Sequence, residues 1–416
     1  MFLTALNQYY KLRKNSFKLK EFDKSSYELY ELTINKKFRK GRLYFLELPK
    51  NLILLFLSLY SVIKTKIKKI DKANYFIAFN NQLYDPRSEN YISKLDHKKF
   101  LNIIRVNDFT VSIKAFFKYE NVFFHQPISY FTRFFYFEND STLKEKFLFI
   151  HKTNLRREKV YFFLFKFLKI KKFIMLDDYR EIQNFISICR KLNIFSIGVM
   201  HSRFSKFRVP LIYDCFDKYI VWSEYFKKKL LEINSGYKNK VVINNFRNFK
   251  KIKNKQFDKD LKILFFSDSR MDYTSVIKYL DQLKNKKNVK VLIKLKSNQN
   301  ENEQFLRYTI NSKFIIVNEK DVKTTVQKYN PQFFLATNSN VLLEASLYDC
   351  YPILLKTKND YSFDLIKDEV VIQYSGNNNF DKFLRKLINK KYLINKIYKK
   401  VWESKSDIKN IKNFLN

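Results

Sequence analysis

Short runs of apolar, β-branched and aromatic residues alternate along this chain with stretches whose apolar positions recur at helical spacing. In the first half the runs 43–48, 75–79, 101–106, 121–124, 173–176, 194–200, 219–222 and 241–243 predict strands. Between 180 and 192, Ile182, Phe185, Ile186, Cys189 and Leu192 fall at helical spacing. Strands separated by such helices imply βαβ units and a parallel sheet. The stretch from Asn244 to Lys262, NNFRNFKKIKNKQFDKDLK, is polar, basic and aperiodic, and reads as a linker. After it the alternation restarts. Strands are predicted over 263–266, 289–295, 314–317, 332–336 and 353–356, and helices over 274–283, 301–310, 322–329 and 341–348. From 379 to the end the chain reads as helical, with Phe380, Phe383, Leu384, Leu387 and Ile388 on one face.

The expected architecture is therefore α/β, with two doubly wound, Rossmann-like domains facing across a cleft. The expected boundaries are 1–244, a linker over 245–262, a second domain over 263–378 and terminal helices over 379–416. In open α/β sheets ligands sit beyond the carboxyl ends of the strands. A length of 416 residues suits two such domains.

Composition narrows the chemistry. The four glycines, Gly41, Gly198, Gly236 and Gly376, are too far apart for a GxGxxG or a GxxxxGK[ST] loop, which excludes an ordinary dinucleotide-binding or P-loop enzyme. The three cysteines, Cys189, Cys215 and Cys350, form no CxxC and suit a reducing compartment. The N-terminus turns charged by Lys11, too early for a signal peptide. The longest apolar run, Leu52 to Ile63, would span about 18 Å as a helix, against roughly 30 Å for a bilayer core. The expectation is a cytoplasmic protein that does not cross a membrane. The same run follows Pro49, a residue suited to a first helical turn, and is followed by Lys64, Lys66, Lys68 and Lys69. It reads either as a buried helix or as a membrane-surface helix with a basic collar, lying at the inner face of the membrane.

The formal charge is +41, from 81 basic and 40 acidic residues. Only 16 of the basic residues are Arg, and Lys, Asn, Ile, Phe and Tyr are abundant while Gly, Pro and Trp are scarce. That is the composition of an AT-rich coding sequence, so a solvated lysine surface accounts for much of the charge. The rest points to a polyanion: anionic lipid, a phosphorylated substrate or nucleic acid. The 72 Phe and Tyr residues fall mostly in apolar strand and helix positions, and no RRM, KH or zinc-finger pattern appears, so no specific nucleic acid is expected.

The most informative segment is ATNSNVLLEASLYDCYPILL, from Ala336 to Leu355. A strand ends at Ala336, a polar turn follows, and Ser339 is a good N-cap for the next helix. A helix start suits a phosphate, and Glu344, about one and a half turns in, can accept hydrogen bonds from ribose hydroxyls. The alternative is an ordinary αβ unit with a surface Glu. With Asn338-Ser339, Leu343-Glu344-Ala345 and Cys350-Tyr351-Pro352-Ile353, the segment resembles the donor-nucleotide motif of GT-B glycosyltransferases. That resemblance implies that Glu344 holds the ribose and that Asn338 and Ser339 meet the phosphate. Asp349 stands where the family usually has Gly; Asp tolerates a left-handed cap better than most residues.

A second resemblance, to surface-polysaccharide transferases including capsule-synthesis and CDP-glycerol glycerophosphotransferase relatives, rests on Ile197-Gly198-Val199-Met200-His201-Ser202 and Asp217-Lys218-Tyr219-Ile220-Val221-Trp222-Ser223. Ser202 replaces the family's second Gly. Where those relatives carry K-x-H-P, this chain has Lys294-Leu295-Lys296-Ser297, so Lys294 or Lys296 would supply the positive charge. His201 and Asp178 both follow predicted strands and are the candidate catalytic bases. His201 otherwise reads as structural, and Asp178 as a helix N-cap. Ser269 and Arg270, after the first strand of the second domain, are candidates to grip a phosphate or belong to a plain turn. The D-x-D of Asp258-Lys259-Asp260 lies in the linker, not at a strand end, which favours metal-independent chemistry. His97, His125 and His151 have no partner at metal-ligand spacing.

Together these readings imply a metal-independent, cofactor-free glycosyltransferase of GT-B type. It would use a nucleotide-sugar donor and a glycan or lipid-linked acceptor. The alternatives are a glycerophospho- or polyol-phosphate transferase on the same fold, or a nucleic-acid-binding protein.

Overall fold

The computed structural model describes residues 41–67, 77–81, 100–104, 108–119, 121–133, 143–175, 182–200, 203–204, 211, 215–244, 251–252, 260–267, 271–284, 286–295, 303–319, 321–337, 339–357, 363–376 and 379–407. Two compact units divide the chain. One takes Met1–Trp222, Phe226–Arg247 and Ser406–Asn416; the other takes Ser223–Tyr225 and Asn248–Lys405.

The N-terminal unit holds a seven-stranded sheet of β1 (Ile77–Asn81), β2 (Phe100–Ile104), β3 (Val122–Phe124), β4 (Lys172–Met175), β5 (Phe195–Val199), β6 (Lys218–Val221) and β7 (Val241–Ile243). Its order is β3-β2-β1-β4-β5-β6-β7 and every pairing is parallel. The C-terminal unit holds β8 (Leu261–Phe266), β9 (Val289–Lys294), β10 (Ile315–Ile316), β11 (Phe333–Ala336), β12 (Tyr351–Leu355) and β13 (Ile372–Tyr374). Their order is β10-β9-β8-β11-β12-β13, again all parallel. Both sheets run outward from their first strand, reverse at their fourth, and so have the doubly wound plan of a Rossmann unit. β11 and β12 are buried throughout, as parallel strands covered on both faces must be.

Of the eight strands expected in the first half, only 43–48 is not one. It belongs to a 27-residue helix, Gly41–Ile67, which continues through Pro49. Proline usually costs a helix interior about 3 kcal/mol. Here the ring lies on an exposed position, and the turns beyond it dock on β3. The helix also overturns the length argument above. Over Glu47–Ile67 it is long and apolar enough to cross a membrane by length and composition.

The helix covers a sheet edge, and it does so with its polar side. Asn51, Leu54, Ser58, Ser61, Val62 and Thr65 are buried. β3 pairs with β2 on one side only. On its other side the Ser61 hydroxyl accepts from the Val122 N–H at 2.8 Å and the Ser58 hydroxyl accepts from the Phe124 N–H at 3.0 Å. Thr65 adds a bond from its hydroxyl to Asn121 Oδ1 at 2.9 Å. An unpaired edge strand is a template for another chain, and these hydroxyls close it.

In the C-terminal unit the helices Phe380–Ile388 and Tyr392–Trp402 face the conventional way. Phe380, Leu384, Leu387, Ile394, Ile397, Val401 and Trp402 are all buried. Beyond Trp402 the chain returns to the first unit. The Asp407 N–H donates to the Ile243 carbonyl at 2.9 Å, and Asp407 Oδ2 accepts from the Ile243 N–H at 2.8 Å.

Candidate functional site

In the C-terminal sheet the strand order reverses between β8 and β11, which pair directly, Leu335 opposite Phe265. The crevice of such a sheet lies outside the carboxyl ends of these strands. β8 ends at Phe266 and leads into Ser267; β11 ends at Ala336 and leads into Thr337; both polar residues are buried. The topology thus brings to one sheet position two strand ends that are 70 residues apart in the chain, 267 against 337.

The segment after β11 is one short α-turn, Val341–Glu344, passing into a 3-10 turn, Ala345–Tyr348. Ser339 bonds the Val341 N–H through its hydroxyl at 3.3 Å, while the residue at the cap position proper is Asn340, whose side chain makes no capping bond. The expected helix over 341–348 is thus four α-helical residues continued by four 3-10 residues. A phosphate here would rest on the turn's N–H groups together with the adjoining strand end.

Val341, Leu342, Leu343, Ala345, Ser346 and Leu347 are buried, while Asn340, Glu344 and Tyr348 are half-buried. These three recur at a spacing of four and form the open line of the segment. Glu344 is the only acid on it. The Tyr348 ring lies 6.0 Å from that of Phe334, which is 5.0 Å from Phe266 at the end of β8. Behind the line, the Trp402 indole N–H donates to the Leu343 carbonyl at 2.9 Å and the Ile252 N–H to the Leu347 carbonyl at 2.7 Å.

Asp349 adopts φ 57°, ψ 33°, the left-handed conformation that the family's glycine would take, and its N–H closes the turn on the Ala345 carbonyl. Its buried carboxylate lies 3.1 Å from Lys391 and 3.6 Å from Lys251. The residues after it pack rather than bind. Cys350 donates to the Pro331 carbonyl at 3.1 Å, and burial pushes its thiol well up. Tyr351 stacks on Phe333 at 5.2 Å and donates to the Ile388 carbonyl at 2.9 Å; burial and then Asp349 push its hydroxyl up to about 12.

Lys294 ends β9, opposite Phe266. Its ammonium donates to the Glu319 carbonyl and is held below the ordinary lysine value by burial, against the pull of Glu319 and Asp321. It is thus engaged within the unit. Asn338, Ser269, Arg270 and Lys296 lie outside the described residues, as do Asp178 and His201. In chain order Asp178 follows β4, the switch strand of the first sheet, and His201 follows β5.

Two motif residues of the first unit have structural work. A Cβ on Gly198 would lie 2.5 Å from the Tyr219 ring and 2.6 Å from that of Phe216, so aromatic packing demands this glycine. Asp217 Oδ2 accepts from the Ser196 N–H and hydroxyl, both at 2.7 Å, joining the amino ends of β5 and β6. Asp260 precedes β8 and pairs with Lys290 at 2.8 Å. Among the described residues no group of three or more His, Cys, Asp or Glu side chains comes together. Sequence reasoning named the loop from Ser267 to Arg270 and the 336–355 segment, but assigned no role to Ser267, Asn340 or Tyr348.

No protein-family model and no curated protein matches the sequence. Among solved structures the chain is similar to HepE from Anabaena in complex with UDP, at 11% identity over 79% of this chain and 96% of that one, with a TM-score of 0.47. It is also similar to the apo lipopolysaccharide outer core galactosyltransferase WaaB, at 15% identity over 81% and 97%, TM-score 0.46. The UDP-GlcNAc 2-epimerase from Neisseria meningitidis, bound to UDP-GlcNAc, is 11% identical over 82% and 98%, TM-score 0.48. At these identities and TM-scores the likeness bears on neither the activity nor the site.

Proposed function

We propose that the protein is a cytoplasmic glycosyltransferase that binds a nucleotide-sugar donor at the switch point of its C-terminal sheet. One observation supports the reading: the segment Ser339–Glu344 follows β11, which pairs with β8 where the strand order reverses, and Glu344 is the only acid on the segment's open line. In this reading Glu344 accepts hydrogen bonds from the ribose hydroxyls. The Thr337–Asn340 turn, with Ser269 and Arg270 after β8, meets the phosphates. Lys294 holds the Glu319 loop beside the crevice rather than touching the donor, and Lys296 remains the lysine for the phosphate. The N-terminal unit takes a glycan or lipid-linked acceptor, with Asp178 or His201 as the base. In this reading transfer uses no metal; of the D-x-D residues, Asp260 directly precedes β8 and pairs with Lys290.

A thermal-shift panel of UDP-, GDP-, CMP- and CDP-linked donors tests this. One donor class is expected to raise the melting temperature of the wild type. Glu344→Ala is expected to fold normally and bind that donor roughly tenfold to a hundredfold more weakly, the loss of a charge-assisted hydrogen bond of about 1.5–3 kcal/mol. Unchanged donor affinity in the folded variant would remove Glu344 from the site. A response to CDP-linked polyols alone would move the reading to a polyol-phosphate transferase.

A further inference from the structure

The helix Gly41–Ile67 presents to solvent the side a soluble protein ordinarily buries. With Ser58, Ser61 and Thr65 turned to the sheet, Phe56, Tyr60, Ile63 and Ile67 are 69%, 59%, 53% and 73% exposed. Leu52, Ile53 and Leu59 extend the same face. The surface continues onto two neighbouring helices of the same unit. The Tyr60 ring lies 6.4 Å from Phe116 of the helix Phe109–Lys118, beside Phe117, which is 82% exposed. Lys66 donates to the carbonyl of Phe167, at the end of the helix Leu143–Phe167, at 2.7 Å and lies 4.9 Å over its half-exposed ring. A continuous apolar surface of this kind marks an interaction site.

The charge around it is predominantly basic; the exposed Asp108 caps the helix Phe109–Lys118, its carboxylate accepting from the Val111 N–H at 3.0 Å. Lys64, Lys66, Lys114, Lys118 and Lys166 on these three helices, and Lys169 just after the last, are exposed, and Lys64 lies 6.0 Å over the Tyr60 ring. From Lys50 to Ile67, from Phe109 to Lys118 and from Lys152 to Lys169 the only acid is Glu158. It is half-buried and turned to another helix, bonding Lys191 at 2.6 Å and Ser187 at 2.9 Å. A second copy of this chain would bring a second set of lysines to the same face. An anionic bilayer surface brings the opposite charge together with an apolar layer, and aromatic rings with snorkelling lysines suit that boundary.

We propose that this face is a membrane-docking surface for the anionic cytoplasmic leaflet, with the Phe56–Ile67 side seated at the headgroup boundary and the lysines on the lipid phosphates. The helix lies on the membrane and does not cross it. Leaving the sheet to span would strip the Val122 and Phe124 N–H groups of their serine partners. The nucleotide site is in the other unit, so docking and the glycosyltransferase reading can fail separately.

The full-length protein is sedimented with phosphatidylcholine vesicles, with and without phosphatidylglycerol, while its melting temperature and sedimentation coefficient are followed without vesicles. The wild type is expected to pellet with anionic vesicles and to be released by alkaline carbonate. Phe56→Ser/Ile63→Ser is expected to weaken binding at least about tenfold with the melting temperature unchanged. Lys64→Gln/Lys114→Gln is expected to weaken it about thirtyfold on anionic vesicles only, at about fivefold per lysine. A wild type that stays in the supernatant overturns the proposal. So does binding that resists carbonate, which means a spanning helix, or binding that the lysine pair weakens and the apolar pair leaves intact, which means charge adhesion alone. A fall in melting temperature on Phe56→Ser/Ile63→Ser would show the face covered by the chain itself. A dimer that this variant splits, with no vesicle binding, would show a second copy on it.

Discussion

Two sheets of the same strand order are flanked here by helices that face opposite ways. Beside β3, the helix Gly41–Ile67 turns hydroxyls inward and leaves phenyl and aliphatic side chains outside. Beside β11 and β12, the helices Phe380–Ile388 and Tyr392–Trp402 turn their apolar sides inward and leave lysines outside. The difference follows from what each helix covers. The last two cover a sheet face, which offers apolar side chains. The first covers a sheet edge, which offers backbone N–H groups, and a buried N–H needs an acceptor more than it needs a methyl group. A helix's inward side is set by the chemistry of the surface beneath it, not by hydrophobicity alone.

The sharpest way to break this comparison is Trp402→Ala. The ring is buried and its N–H holds the Leu343 carbonyl, so the C-terminal unit is expected to lose about 3–5 kcal/mol in urea unfolding. Trp402→Phe keeps most of the packing and should cost clearly less; equal losses would mean that the hydrogen bond dominates. On the other flank, Ser61→Ala strips the Val122 N–H of its acceptor and is expected to cost about 1–3 kcal/mol, although alanine is the better helix former. A stabilised Ser61→Ala protein would show that the edge does not depend on the hydroxyl.

A smaller effect concerns acid. Glu319 bonds Lys328 at 2.5 Å, and that bond holds its carboxyl below the usual glutamate range. A depressed folded-state value means that the contribution is complete above the unfolded value near 4.3 and lost as pH falls through the folded one. The urea midpoints of wild type and Lys328→Met should therefore differ at neutral pH and converge in acid. The smallest effect is expected at Phe56→Ser, within about 0.5 kcal/mol, because the ring is 69% exposed. A large loss there would mean that the two flanks are not opposite after all.

Much of the sheet framework was legible in the chain because parallel strands buried on both faces must be continuous apolar runs. Runs of that kind mark β2 to β7 and β8 to β12 to within about two residues. The αL turn at Asp349 was legible for a similar reason, since few residues tolerate φ 57°. β13 was missed because Ile372–Tyr374 is a three-residue edge strand whose apolar run, Val370–Ile372, mostly precedes it. The 43–48 stretch was misread because aromatic and leucine residues in a short window suit strand and helix alike, and a proline after it reads as a boundary.

The candidate site was legible as a segment but not as a place. Ser339 and Glu344 announce themselves beside a strand end. That β11 lies directly beside β8 depends on strand order, which no local pattern encodes. The same holds for Lys294, whose charge is visible in the chain and whose engagement with the Glu319 carbonyl is not. The hydrophobic pattern by itself determined where strands and helices lie, because burial on two faces or one acts within a few residues. Tertiary structure alone decided which side of the helix Gly41–Ile67 faces inward and that Asp407 returns to Ile243. Those outcomes depend on backbone groups left unpaired at the edges of a sheet, and a group is unpaired only once its neighbours are in place.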